Sequence, residues 1–366
     1  MPSLEPSTHL TAARVTCRGL GPSGRNSRSL TNGCTNPGTH SGVALGGGSD
    51  QESGGPLPAT VNDKGRGIFV VNGRTGERIK HILPAGMASV PADLAVLDRD
   101  NDGLFDRIYA VDTKGNIWRV DIDDADTTKW ASYKLASLGG SGADARKFLN
   151  KPDVVFGTDY DAVLVGSGDR EHPFENAVVN RFYMLKDTKV GLTGGFVCET
   201  PAVGVTPAVG RTCVESDLAD VTLNPYQNTT VSIENGWYLT LAAGEKVVGN
   251  AITVFGTTFF GTNRPTPPEP GVCSSNLGEA KIYAVGYAAG TATFDTNADG
   301  VIDIEDRSEV VEGGGFPPSP VYARTEVDVG GTLKPIDAVC TGSHCLSPGG
   351  VTTTTKRFRT YWHIEQ

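Results

Sequence analysis

The sequence contains no apolar run long enough to cross a membrane, and few stretches with the 3.6-residue period of an amphipathic helix. A helical bundle and a helical membrane protein are therefore not expected. Positive charge is also in deficit, because 32 Lys and Arg residues stand against 42 Asp and Glu residues in 366, a formal charge of −10. Nucleic acids and anionic lipid surfaces select a basic face, so neither is an expected partner, and a cation is the better candidate.

The seven cysteines do not form a zinc-binding pattern, because the sequence has neither a CxxC motif nor closely paired histidines. Cys198 with Cys213, and Cys340 with Cys345, have spacings that suit local disulfide bonds. The connectivity of the seven cysteines stays open at this point.

Residues 1–40 lack both the alternation of a strand and the apolar segment of a signal peptide. Their Ser, Thr, Gly, Pro and Arg content predicts a disordered leader, or one that begins at a misplaced start codon. Because cysteines suggest an oxidising compartment, we expect the chain to be the C-terminal piece of a larger exported protein. The folded domain is predicted to span residues 41–366.

Short runs of Val, Ile, Tyr and Phe between turns dominate the rest of the sequence, which has 47 Gly and 22 Pro residues. This pattern predicts an all-β fold. A unit with an apolar strand and an aromatic residue recurs at residues 65–79, 106–122, 180–187 and 280–292, and three of the four units continue into a glycine-bearing turn. Irregular spacing favours a β-propeller with loop insertions over a uniform array, and unrelated hairpins of a sandwich are the alternative.

An acidic loop, DRDNDGLFD, precedes one of these strands at residues 98–106. Oxygen donors recur on alternate residues around a glycine, and the candidate metal ligands are Asp98, Asp100, Asp102, the carbonyl of Leu104, and Asp106. Oxygen donors without Cys or His favour calcium over zinc, and a flexible cage favours calcium over magnesium. Position 12 is Tyr109 in place of the usual Glu, because the chain has entered a strand. A solvated acidic turn is the alternative.

A second loop, DTNADGVIDIED at residues 295–306, matches the helix-loop-helix calcium pattern more fully and resembles a dockerin-type loop. Its candidate ligands, at positions 1, 3, 5, 7, 9 and 12, are Asp295, Asn297, Asp299, Val301, Asp303 and Asp306. The shorter Asp at position 12 weakens the expectation of bidentate closure. The alternative is an insertion rich in Asx turns.

Enzymatic interpretations are weaker than the metal-binding one. Ser167, Asp169 and His172 lie close in the sequence, but the GxSxG elbow is absent and a polar turn is favoured. Trp118 and Trp237 are predicted to pack between blades, since tryptophan favours burial, and not to stack on a quinone. We therefore predict a protein that is not an enzyme.

Several longer segments resemble, in the same order, the C-terminal propeller of the PilY family of type IV pilus tip and biogenesis proteins. They are GRGIFVVNGRTGE, SVPADLAVLDRDNDGLFDRIYAVDTKGNIWRVD, VLVGSGDREHP, NRFYMLKD, GWYLTLAAGEKV and CSSNLGEAKIYAVGY. The resemblance covers residues 41–366 and implies a modified β-propeller, in which Asp106 closes a D-x-D-x-D/N-x-x-x-D calcium loop. The family's large N-terminal region and the first part of the propeller are not recognised in this sequence. Whether the remaining blades form a complete ring stays open at this point.

The resemblance also implies a function. It places the protein at the cell surface, at the pilus tip or outer membrane, with minor pilins as partners and a host or abiotic surface as a target for attachment. Calcium would regulate pilus extension and retraction. The alternatives are a quinoprotein-like propeller dehydrogenase and a carbohydrate-binding propeller.

Overall fold

The structure is a computed structural model that describes residues 13–17, 40–48, 65–100, 104–122, 126–188, 198–199, 210–223, 233–266, 277–329 and 332–346. In these ranges the regular structure is almost entirely β-strand. Three short 3₁₀ helices occur there, at Gly142–Asp144, Glu215–Asp217 and Glu305–Arg307. No helix of the described residues is both long and apolar enough to cross a membrane.

The strands are short and follow one another closely along the chain. In order they are β1 Ala13–Cys17, β2 His40–Gly46, β3 Ile68–Asn72, β4 Arg78–Ile82, β5 Ala95–Leu97, β6 Arg107–Val111, β7 Asn116–Asp121, β8 Ala131–Ser137, β9 Asp153–Phe156, β10 Asp161–Gly166, β11 Arg181–Asp187, β12 Cys198–Glu199, β13 Gly210–Arg211, β14 Ala219–Asp220, β15 Gly236–Thr240, β16 Lys246–Val247, β17 Ile252–Val254, β18 Thr257–Arg264, β19 Glu279–Gly286, β20 Ser308–Val311, β21 Val321–Val329, β22 Thr332–Thr341 and β23 His344–Leu346.

These strands form five main sheets, numbered here in chain order. Sheet 1 contains β1–β4, sheet 2 contains β5–β8, sheet 3 contains β9–β11 with β14 and β15, sheet 4 contains β16–β20, and sheet 5 contains β21–β23. Neighbouring strands are antiparallel except β14 and β15, which are parallel. The small hairpin of β12 and β13 lies in an insertion between two strands of sheet 3.

The apolar core lies between consecutive sheets. Four clusters of buried side chains join sheet 1 to sheet 2, sheet 2 to sheet 3, sheet 3 to sheet 4, and sheet 4 to sheet 5. Every residue of β6, β7 and β10 is buried, because these strands have a neighbouring sheet on each face. Successive sheets that pack face to face in chain order are the arrangement of propeller blades, so the predicted all-β, propeller-like fold with insertions is confirmed. Among the described residues, no cluster contains side chains of both sheet 1 and sheet 5.

The predicted hairpin units form as expected. Residues 65–79 contain β3, residues 106–122 contain β6 and β7, and the last two units contain β11 and β19. The turn between β6 and β7 needs glycine at Gly115, whose φ is +69°. A Cβ atom there would lie 2.5 Å from the backbone nitrogen of Gly139.

The leader differs in part from the prediction. Ala13–Cys17 forms β1 and pairs with β2, although composition predicted disorder across residues 1–40. Residues 1–12 and 18–39 lie outside the described residues. The proposed domain boundary at residue 41 stays a prediction.

Candidate metal centre

The first acidic loop connects β5 to β6 at one end of sheet 2. The backbone N–H of Asp106 donates to the carbonyl of Leu97 at 2.8 Å, which closes the hairpin below the loop. The carbonyl of Asp106 accepts a 2.7 Å hydrogen bond from Ile122, at the end of β7. The backbone of Asp106 is therefore held between two strands. This pairing determines where the Asp106 carboxylate lies in the loop.

Three carboxylates converge in this loop. Ligand oxygens of Asp98, Asp100 and Asp106 all lie within 4.8 Å of one another, with Asp100 exposed and the other two half-buried. Asp106 Oδ2 accepts backbone hydrogen bonds from Arg99 at 2.7 Å and from Asp100 at 3.3 Å. The Asp106 carboxylate, at position 9, thus holds the start of the loop in place through two backbone N–H groups.

The structure describes only one of the two remaining predicted ligands of this loop. Leu104 is half-buried where the chain enters the last part of the loop, and Asp102 lies outside the described residues. Tyr109, at position 12, is a buried member of β6, as expected from the early start of the strand. It donates its hydroxyl to Asp187 and is not available to a metal ion in the loop.

The three carboxylates fit a calcium ion. Two oxygens bound to one calcium at about 2.3–2.6 Å each are at most about 5.2 Å apart, which the observed spacing satisfies. The donors are hard carboxylate oxygens, the type that calcium prefers. An ion would be held by Asp98, Asp100 and Asp106, and it would replace repulsion among like charges by attraction.

Behind the loop lies a buried ionic network that joins sheet 2 to sheet 3. Arg107 Nε donates to Asp121 at 3.1 Å, and Arg119 Nη1 donates to both carboxylate oxygens of Asp187 at 2.8 Å. Burial raises the pKa of Asp121, against the opposing effect of the two arginines. Because Asp187 ends β11 in sheet 3, its contact with Arg119 binds the two sheets together.

Sequence inspection did not find this network. One signal was present, since the register of β6 and β7 pairs Arg107 with Asp121 and could be derived from the hairpin alone. The partner in sheet 3 could not be derived in this way. Arg119 and Asp187 are 68 residues apart, and only the packing of two sheets brings them together.

The second acidic loop runs into the 3₁₀ helix Glu305–Arg307, which contains its last two residues, and backbone N–H groups organise the loop. Asp295 accepts hydrogen bonds from the N–H groups of Asp299 at 3.3 Å and Gly300 at 2.8 Å. Asn297 Oδ1 also accepts from Asp299, at 2.9 Å. Gly300 has a φ of +87°, which permits the sharp turn at position 6.

Asp306, at position 12, is fully buried and closes the loop. Burial alone would raise its pKa, but hydrogen bonds from the backbone N–H groups of Asp303, Thr296 and Asn297 outweigh burial and lower the pKa. Within the described part of the chain, the carboxylates that approach to 4.8 Å in a group of three are those of the first loop. Metal binding by Asp295, Asn297, Asp299, Val301, Asp303 and Asp306 stays a prediction.

No family model matches the sequence. Over 84 residues, or 20% of this chain, the sequence is 37% identical to the type IV pilus biogenesis factor PilY1 homolog of Xylella fastidiosa (strain Temecula1 / ATCC 700964). The matched segment spans 6% of the length of that relative.

The crystal structure of the Pseudomonas aeruginosa PilY1 C-terminal domain has the same fold, with a TM-score of 0.53 over 93% of this chain and 73% of that domain. Sequence identity in this superposition is 14%. The chain thus resembles the PilY family in the matched segment and shares the fold of the PilY1 C-terminal domain. A GH93 α-L-arabinofuranosidase of Fusarium graminearum reaches a TM-score of only 0.36, at 8% identity over 83% of this chain and 71% of that enzyme.

Trp118 and Trp237 are both buried in the apolar core. Trp118 is buried between sheets 1 and 2, and its Nε1 donates to Asp112 at 2.8 Å. Trp237 is buried between sheets 3 and 4, and its Nε1 donates to the carbonyl of Tyr287 at 2.9 Å. The prediction that both pack between blades is confirmed.

The polar segment that contains Ser167 has separate hydrogen-bonding partners. The hydroxyl of Ser167 lies 3.1 Å from Asn180 Oδ1, and it accepts from the backbone of Arg181 at 2.9 Å. His172 Nδ1 lies 2.9 Å from Asp169 Oδ2. Among the described hydrogen bonds, Ser167 and His172 therefore have different partners.

Two disulfide bonds occur among the described residues. Cys198 pairs with Cys213 across the inserted hairpin, and Cys340 pairs with Cys345 between β22 and β23. Both pairs have the spacings that suited local bridges. Cys273 lies outside the described residues.

Proposed function

We propose that the chain is a non-enzymatic, calcium-binding module of a surface protein associated with type IV pili. The proposal is supported by the PilY-type fold and by the segment shared with a pilus biogenesis factor. The whole relative is far longer than the matched segment, so the pilus-related role is proposed for this chain from that relationship.

One observation carries the calcium part of the proposal. The oxygens of Asp98, Asp100 and Asp106 converge within 4.8 Å in a loop whose base is held by two strands. Such a loop concentrates negative charge, and the strand pairing at Asp106 limits how far the carboxylates can move apart. A divalent cation is the partner that removes the repulsion. Extracellular modules bind calcium with a Kd of about 10⁻⁴ to 10⁻³ M, so even a weak site would be partly filled where calcium is plentiful.

Calcium in this loop would order a surface at the end of sheet 2. That surface is proposed to contact minor pilins at the pilus tip, and to alter the balance between pilus extension and retraction. Attachment to a host or abiotic surface is a further proposed role at the cell surface. The second loop is proposed to bind a calcium ion that stabilises the fold locally.

The direct test is a calcium titration of the full chain by isothermal calorimetry. Asp100→Ala removes an exposed ligand without disturbing the core, and we expect it to lose one bound calcium ion. Glu312→Ala removes an exposed carboxylate at the end of β20 and serves as the matched control, with stoichiometry equal to the wild type. Equal stoichiometry for wild type and Asp100→Ala would refute the calcium assignment.

The pilus role is tested separately, in the bacterium that carries the gene. Asp100→Ala is expected to change surface piliation and twitching while leaving export of the protein unchanged. Glu312→Ala should behave as the wild type. Unchanged piliation and twitching in the Asp100 variant would contradict the regulatory role and leave the calcium site standing.

The non-enzymatic part has its own test. A quinoprotein would show a visible absorption band from the bound cofactor and dye-linked turnover. We expect neither from the purified chain with calcium. A quinone band together with turnover would refute the non-enzymatic proposal and identify the protein as a dehydrogenase.

A further inference from the structure

In the sequence Arg99 stands between Asp98 and Asp100, two of the three converging carboxylates, but its side chain points away from the loop toward sheet 3. Its Nε donates to both carboxylate oxygens of Asp161, at 3.2 and 3.1 Å, and its Nη2 donates to the carbonyl of Gly157 at 2.9 Å. Asp161 is the first residue of β10, and Gly157 follows β9. Arg99 therefore binds the first acidic loop of sheet 2 to a hairpin of sheet 3.

Asp161 also binds a second arginine from the same region. Arg107 Nη1 lies 3.3 Å from Asp161 Oδ2, and Arg107 is the residue directly after Asp106. Asp161 is fully buried. Two arginines that flank the candidate ligands in the sequence thus converge on one buried carboxylate in the neighbouring sheet.

This arrangement connects both ends of the loop to one carboxylate in sheet 3. The backbone at Arg99 carries Asp98 and Asp100, while the backbone at Arg107 carries Asp106. Arg99 is held at two points, Asp161 and the carbonyl of Gly157, which limits how far its backbone can move from sheet 3. Residues that orient metal ligands without touching the metal affect metal affinity strongly.

We propose that Arg99 is a positioning residue for the first acidic loop, and that it holds the three carboxylates at calcium-binding distance by anchoring the loop to Asp161. The inference rests on the proposed calcium site. It adds that calcium affinity depends on a residue in the neighbouring sheet, so the ion and the junction between sheets 2 and 3 are coupled.

Electrostatics alone predicts the opposite result. The positive charge of Arg99 lies in the loop that would receive a cation, so its removal should strengthen calcium binding if charge were its main effect. Positioning predicts weaker binding on removal. The sign of the change therefore separates the two effects.

The test uses calcium titrations of the full chain with Arg99→Met and Arg99→Lys. We expect both variants to bind calcium about tenfold more weakly than the wild type or worse, because neither has the separate Nε and Nη2 donors with which Arg99 contacts Asp161 and Gly157. If charge dominated, Arg99→Met would bind more tightly and Arg99→Lys would be unchanged. Arg211→Met, which removes a partly exposed ion pair with Asp217 elsewhere, is the matched control and should leave the affinity unchanged.

A variant in the neighbouring sheet checks the coupling. Asp161→Asn should also weaken calcium binding, and the double variant with Arg99→Met should lose less affinity than the sum of the single losses, since both remove one interaction. Should Asp161→Asn fail to fold, the two Arg99 variants still decide the question. Melting in the presence of chelator shows whether each variant is folded at the titration temperature.

The outcomes separate this inference from the proposed function. Normal calcium binding by the wild type, with equal or tighter binding by Arg99→Met, would overturn the positioning role and leave the calcium site intact. If Asp100→Ala bound as many calcium ions as the wild type, both the calcium site and the positioning role of Arg99 would be overturned. Weaker binding by both Arg99 variants supports the inference.

Discussion

The hydroxyl of Tyr109 in β6 donates a 2.7 Å hydrogen bond to Asp187 at the end of β11, across the boundary between sheets 2 and 3. Both residues are fully buried. Burial, together with the nearby charge of Asp187, raises the pKa of Tyr109 and keeps the hydroxyl protonated as a donor. The contact belongs to the same ionic network that lies behind the first acidic loop.

Replacing this donor should weaken the junction between the sheets. Tyr109→Phe leaves Asp187 with Arg119 but removes one hydrogen bond to a buried carboxylate, so we expect the free energy of unfolding to fall by about 1.5–3 kcal/mol. Chemical denaturation measures this change. Tyr322→Phe removes a 2.5 Å hydrogen bond to Asp337 at a more exposed position and should cost less. Equal losses in the two variants would contradict a special role for the buried contact.

Calcium removal should destabilise the folded protein. An ion that binds only the folded state adds about 2.7 kcal/mol at a hundredfold excess over its Kd. Thermal melting with calcium and with chelator is therefore expected to give different midpoints, and Asp100→Ala should reduce the difference. A wild-type midpoint that ignores both chelator and added calcium would be incompatible with the proposed site.

The second loop should act on stability more than on motility. Asp299→Ala removes a predicted ligand and the carboxylate that accepts a 2.8 Å hydrogen bond from the backbone of Val301. We expect a lower melting temperature and one fewer bound calcium, with a smaller change in twitching than for Asp100→Ala. Unchanged calcium stoichiometry would make this loop an ordinary acidic turn, and loss of twitching in this variant alone would reverse the proposed roles.

Acid should remove the contribution of one partly buried ion pair. Burial opposes ionisation of Asp169, but the hydrogen bond and charge of Lys147, at 2.6 Å, with a smaller contribution from His172, lower its pKa. Because the folded-state pKa lies below the unfolded value of about 3.9, this stabilisation is present above about pH 4 and is lost as the pH falls through the folded-state pKa.

The pair is tested by comparing Lys147→Met with the wild type at neutral pH and near pH 3. We expect a loss of about 1–3 kcal/mol at neutral pH and a smaller loss in acid. Lys281→Met, which removes a more exposed pair with Glu279, should have a small effect at both pH values. A loss that does not depend on pH would contradict the assignment.

Much of the local structure was predictable from the sequence. The alternation and turn residues of units such as 106–122 predicted β6, β7 and the turn at Gly115, because strand pairing across a short turn depends on neighbouring residues. The spacing of Asp98, Asp100 and Asp106 likewise predicted a common site, since a tight loop with oxygen donors on alternate residues turns them toward one point.

The contacts that support this loop could not be predicted in the same way. Arg99 and Asp161 are 62 residues apart, and Tyr109 and Asp187 are 78 residues apart. No short-range pattern joins such pairs, because their distance depends on how two sheets pack over a shared apolar core. The sequence by itself determined the strands of the four recurring units and the order of the candidate ligands. Only the tertiary structure decided that β1 pairs with β2 and which buried carboxylate of sheet 3 binds Arg99, since both depend on contacts between distant segments.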